Sequence, residues 1–197
     1  MTSEQFNVFW SANYPATIPL TYYFRCNYQD RWFRIHSLPD SKRYAENDED
    51  WSILLTRQNN IIKDLLNDSS KLYAVIGEYD FDGSNETPIF LGNAMFADLK
   101  FNRLDIIDLH KISPDEYENG TTYRPYITEL NWKENKYDHI LKSIANYESS
   151  LFFISIDKKC LIAPYDGGVD FVLETNNIKN TYKTKYKDWL SNREDGL

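Results

Sequence analysis

Between Lys71 and Leu173 the chain breaks into short apolar runs rich in β-branched and aromatic residues: KLYAVIGEYDF, LDIIDLHKI, TTYRPYITELNW, LFFISI, KCLIAP and VDFVL. Turn signals such as Asp82-Gly83-Ser84-Asn85, Asp157-Lys158-Lys159 and Tyr165-Asp166-Gly167-Gly168 separate them, which predicts strands. The strands cluster between helical segments and do not alternate with them in a strict βαβ rhythm. The expected fold is therefore α+β, a mostly antiparallel or mixed sheet with about four helices packed on one face. Pro125, inside TTYRPYITELNW, cannot donate to a ladder and predicts an edge or a bulge.

Apolar periodicity marks four helices. Thr2 or Ser3 caps the first, with Phe6, Phe9 and Trp10 on one face and Pro15 and Pro19 beyond its end. The strongest starts at Asn47 or Asp48. Its acidic Glu49 and Asp50 suit a positive helix N-terminus, and Trp51, Leu54, Leu55, Gln58, Ile61, Ile62, Leu65 and Leu66 form its stripe. A third lies within KYDHILKSIANYES, carried by Ile140, Leu141, Ile144 and Ala145. The last contains Tyr182, Tyr186, Trp189 and Leu190 and ends near Gly196. LTYYFRC and RWFRIHSL flank Asn27-Tyr28-Gln29-Asp30 and read as a β-hairpin. Residues 87–99 are ambiguous. With no internal repeat and no low-complexity linker, residues 1–197 are expected to form a single domain. A chain of this length buries roughly two-thirds of its unfolded surface without a disulfide or zinc staple.

The formal net charge is −8, which argues against nucleic-acid binding through a basic surface and favours basic partners. Cys26 and Cys160 have no CxxC spacing. MTSEQFNVFWSANYPATIPL has no basic start and no long apolar core, so it does not resemble a secretory signal. No apolar run approaches the roughly 20 residues that span a bilayer. The expectation is a cytoplasmic protein with reduced thiols, no membrane partner and no nucleic-acid partner.

Motifs for chemistry are sparse. HExxH, GxSxG, a Walker loop and GxGxxG are absent, and His110 and His139 have no shared metal spacing. Asp166-Gly167-Gly168-Val169-Asp170 sets two carboxylates around glycines that permit positive φ; it reads as a tight turn before it reads as an acid/base pair or a cation site. Arg34 and His36 alternate with Phe33 and Ile35, so they share one strand face, where they could bind an anion or pair with acids. Cys160 reads as a buried small hydrophobe. No cofactor and no metal is expected.

Charge is unevenly spread. Residues 71–134 hold 12 acids against 6 bases, and GEYDFDGSNE and SPDEYEN carry seven of those acids. Glu78, Asp80, Asp82, Glu86, Asp115, Glu116 and Glu118 make plausible arms for a basic partner, with Tyr79, Phe81 and Tyr117 as aromatic anchors. The last helix instead presents Lys179, Lys183, Lys185 and Lys187, the usual pattern of a solvated face.

Three segments, RWFRIHSLPDSKRY, APYDGGVDFVL and YKDWLSNREDGL, resemble an uncharacterised bacterial domain, the domain of unknown function family 3885. Proteins of this kind resemble the small acidic immunity proteins of polymorphic toxin systems in interbacterial competition. The resemblance implies a binding module that occludes a cognate toxin domain without turnover, and it supplies no catalytic residues. The partner would be a toxin domain with a basic active-site surface. The alternative expectation is a small hydrolase or transferase using Arg34 and His36 with Asp166 and Asp170, which requires that these four converge in space.

Overall fold

A computed structural model describes residues 1–67, 70–81 and 88–193. Its elements, in order, are helices α1 (Ser3–Asn13) and α2 (Tyr22–Asn27), strand β1 (Trp32–His36), helix α3 (Asp48–Leu66), strands β2 (Lys71–Asp80), β3 (Asn102–Arg103) and β4 (Ile107–Asp108), helix α4 (Leu109–Ile112), strand β5 (Thr122–Asn131), helix α5 (Asp138–Ala145), strands β6 (Leu151–Ser155), β7 (Cys160–Tyr165) and β8 (Gly168–Val172), and helix α6 (Asn176–Lys185). The strands form one sheet in the order β1-β8-β7-β6-β2-β5-β3, with β4 also on β5. Every ladder among the described residues is antiparallel. The architecture is α+β, as the clustering of strands implied.

Helices cover both faces of the sheet, not one. Alternate residues of the longer strands serve two cores. Phe33, Ile35, Leu72, Ala74, Phe153, Ile162 and Phe171 pack with Ile61, Ile62 and Leu65 of α3, Ile140, Leu141 and Ile144 of α5, and flanking Ile178 and Tyr182 of α6. On the other face Trp32, Tyr73, Val75, Phe152, Ile154 and Leu161 pack with Phe6 and Trp10 of α1 and Phe24 of α2. That two-sided cover explains why LFFIS is buried at every position and does not alternate.

The local signals act as read in α1, where Thr2 and Gln5 complete a capping box, and in α3, where Asn47 accepts from the Asp50 N–H. Pro125 lies opposite Gly77 on β2. Its carbonyl accepts from Leu104 N–H on the outer side, in the gap between the two-residue strands β3 and β4. Its missing donor therefore faces the thinly covered edge.

The last helix stops at Lys185, so Tyr186, Trp189 and Leu190 lie beyond it, with Lys187–Trp189 a separate 3-10 turn, and Gly196 lies outside the described residues. Two strand expectations also fail. LTYYFRC is not a strand: Tyr22–Asn27 is a short helix, because Leu20, Phe24 and Tyr28 are all buried and fall at helical spacing. LDIIDLHKI is mostly not a strand either. Asp108 accepts from Lys111 N–H and starts the single turn of α4, and only Ile107 and Asp108 pair with β5. Among the described residues no helix is long and apolar enough to cross a membrane.

Candidate functional site

The four residues of the catalytic alternative meet at the β1–β8 end of the sheet. Arg34 lies opposite Asp170, and His36 opposite Gly168. The Arg34 guanidinium grips Asp170 with two bonds, Nε to Oδ1 at 2.6 Å and the second nitrogen to Oδ2 at 2.8 Å. It also stacks over the Tyr165 ring at 4.3 Å and near Trp32 at 5.6 Å. Burial alone would lower the Arg34 pKa, but the hydrogen bonds and charge of Asp170 raise it on balance. Burial pushes the Tyr165 hydroxyl up. Both side chains of the ion pair are mostly covered, at 18% and 17% exposure, so its bidentate form is held in place.

Asp166, in the β7–β8 turn, is only 4% exposed. Arg43 and the Tyr147 hydroxyl both donate to it, and Tyr147 bonds Tyr44 at 3.0 Å. Tyr147 holds φ 60°, a costly backbone region for a bulky side chain. His36 Nε2 is buried with no hydrogen-bond partner among the described residues. Burial, then the charges of Arg34 and Arg57, lowers its pKa. Gly168 is required by close approach, not by positive φ: a Cβ there would fall 2.0 Å from the Ile35 carbonyl oxygen. The residues thus converge, but each carboxylate is already committed to an arginine. A cleft of about 430 Å³ runs beside them, between α2 and the β7–β8 turn. Among the described residues no three His, Cys, Asp or Glu side chains are placed to hold a metal ion. Cys26 is a free, exposed thiol on α2 and Cys160 a free, buried one.

The second site lies across the sheet, where the end of β2 meets the 113–120 loop. Tyr79 stacks with Phe81 at 6.1 Å and with Tyr117 at 6.5 Å, and lies edge-on to Tyr123 at 5.3 Å. Tyr123 fits because Gly77 has no side chain: a Cβ there would be 2.3 Å from the Tyr123 ring. Phe81 is 71% exposed and Tyr79 38%. Burial, then the neighbouring Tyr117, pushes the Tyr79 hydroxyl up to about 12. The loop is tied down: Tyr23 donates to Glu116 at 2.9 Å and approaches the Tyr117 hydroxyl at 3.4 Å, and His110 Nδ1 lies 2.7 Å from the Tyr117 carbonyl. Asp115, Glu116 and Glu118 are exposed around the rings.

The acidic arm expected along 78–86 is not continuous. Alternation along β2 sends Glu78 and Asp80 to the face opposite Tyr79. Glu78 accepts from Phe90 N–H at 2.9 Å, and Asp80 is 2% exposed. Asp80 is therefore not available at a partner-facing surface. Asp82 and Glu86 lie outside the described residues. Tyr23 was missed in sequence because the helix that carries it was read as a strand.

A search of curated proteins finds no match to the chain, and a search of solved structures finds none. A family model does match, that of a domain of unknown function, DUF3885, over residues 20–194. Its match takes in β1, the Arg34–Asp170 pair and every strand of the sheet, so the chain belongs to the DUF3885 family.

Proposed function

We propose that this chain is a non-catalytic binding protein, an immunity protein that occludes the basic active-site surface of a cognate antibacterial toxin domain. The observation that carries the reading is the stacked set of exposed Tyr79 and Phe81 with half-buried Tyr117, beside exposed Asp115, Glu116 and Glu118. Aromatic rings with an acidic rim fit the centre-and-rim anatomy of protein interfaces. The net charge of −8 would speed encounter with a basic partner. The test is co-expression with the toxin domain encoded beside this gene. Cells survive with the wild-type chain, and lose protection with a folded Tyr79→Ala/Phe81→Ala/Tyr117→Ala variant. Full protection by that variant removes this corner from the account; no protection by the wild type removes the immunity reading.

The convergence of Arg34, His36, Asp166 and Asp170 favours a second reading, a small hydrolase or transferase. It predicts that folded His36→Ala and Asp166→Ala variants still bind the toxin domain but no longer protect. Occlusion predicts that both still protect, since it needs no turnover.

A further inference from the structure

Strand β1 is the sheet's edge, and a groove of about 380 Å³ runs along it between α2 and α6. Arg25, Trp32, Arg34, Lys179, Lys183 and Arg193 line it. Two guanidiniums approach one indole: Arg25 lies 5.5 Å and Arg34 5.6 Å from the Trp32 ring centre. Of the cations, Arg34 is neutralised by Asp170. Arg25, Lys179 and Lys183 make no ion pair among the described residues. On the last helix Lys183, Lys185 and Lys187 are exposed, as a solvated face implies, and Lys179 is half-buried; Lys179 and Lys183 line this groove, while Lys185 pairs with Asp64 at 2.6 Å.

In a chain of net charge −8, cations gathered from α2, the sheet edge and α6 repel one another unless an anion joins them. Burial, and then the like charge of Lys183, lowers the Lys179 pKa, with Asp30 opposing. Guanidinium forks and mobile ammonium groups are the donors that hold phosphate oxygens. The concave volume matches a small ligand, not an extended chain.

We propose that the β1-edge groove binds a multiply charged phosphate, of polyphosphate or nucleotide size, through Arg25, Lys179 and Lys183. It lies at the β1 edge, four strands from β2, and shares only α2 with the acidic corner, so it is tested without the toxin domain and independently of the immunity reading. The experiment is calorimetric titration of the full chain with sodium pyrophosphate, tripolyphosphate and ATP at fixed ionic strength, paired with thermal melts. Tripolyphosphate should bind and raise Tm. Lys179→Gln/Lys183→Gln should weaken that binding by about tenfold or more, the loss expected for charge-assisted bonds, while its ligand-free Tm stays level or rises. Arg25→Gln should weaken binding in the same direction, and Lys185→Gln should not. ATP binding more tightly than tripolyphosphate would identify a nucleotide ligand, with contacts beyond the phosphates; equal binding would identify the phosphate chain alone. No binding by any of the three at millimolar concentration, or equal binding by the double lysine variant, would overturn the proposal.

Discussion

At the β1–β8 end of the sheet, Asp170 and Asp166 are covered and each is held by an arginine. At the β2–β5 end, Asp115, Glu116 and Glu118 stand exposed beside stacked rings. The same residue types do different work in the two places. The bidentate Arg34–Asp170 pair fixes the register of β1 on β8, Asp166 is bound by Arg43 and Tyr147, and the charge of both acids is spent inside the fold. Exposed Asp115 and Glu118 beside the open rings of Tyr79 and Phe81 leave charge and apolar area at the surface, while Glu116 accepts from Tyr23.

If this contrast is right, mutation should divide the molecule. The largest effect is expected at the ion pair. Arg34→Ala leaves Asp170 mostly covered and without its arginine, and should cost roughly 3 kcal/mol, the low end for a broken buried pair because both groups keep some solvent contact. Arg34→Met/Asp170→Leu should cost less than either single change, since it removes both charges. Urea unfolding measures both; a double variant as unstable as the sum of the singles would contradict the pairing argument.

Gly168→Ala comes next. Its methyl would press on the Ile35 carbonyl and separate β1 from β8, at a cost near the upper end of the ~1–3 kcal/mol seen for overpacking. A loss of unfolding free energy below about 0.5 kcal/mol would show that the edge strand yields freely. At the other end, Phe81→Ala removes a mostly exposed ring and should leave stability within about 0.5 kcal/mol. A larger loss would make Phe81 a structural residue and weaken its role as an anchor.

The smallest effect concerns pH. The folded pKa of His36 lies below its ordinary value of 6.5, so the unfolded chain takes up the proton first. The neutral folded histidine costs nothing above that value, and stability falls as pH drops below it towards the folded pKa. Replacing His36 by Gln should flatten the dependence of unfolding free energy on pH between about 7 and 5. An unchanged slope would place the titration elsewhere.

Sequence patterns carried the elements whose cause is local. The capping residues Thr2 and Asn47, the stripe of α3 and the β6–β7 and β7–β8 hairpins all depend on neighbours a few positions away. The aromatic run LTYYFRC misled because β-propensity outweighed the Leu20, Phe24, Tyr28 spacing that was present in it. The unbroken apolar runs LYAVI and LFFIS carry the mark of a sheet covered on both faces. The candidate sites were legible only as residue types. Arg34 and Asp170 are 136 positions apart, and only the β1–β8 register joins them. Alternation along β2 could have separated Tyr79 from Glu78 and Asp80, but the stacking of Tyr79 on Tyr117 depends on how the 113–120 loop folds back.

The most direct test of the account is the affinity of the adjacent-gene toxin domain for the wild-type chain and for Tyr79→Ala/Phe81→Ala/Tyr117→Ala, measured by surface plasmon resonance at low and high salt. Aromatic hot spots each contribute at least about 2 kcal/mol, so the account predicts a Kd weakened by about a hundredfold or more in the folded triple variant. It also predicts a wild-type association rate that falls as salt rises while dissociation changes less. An unchanged Kd in the triple variant, with the toxin domain still bound tightly, would contradict it.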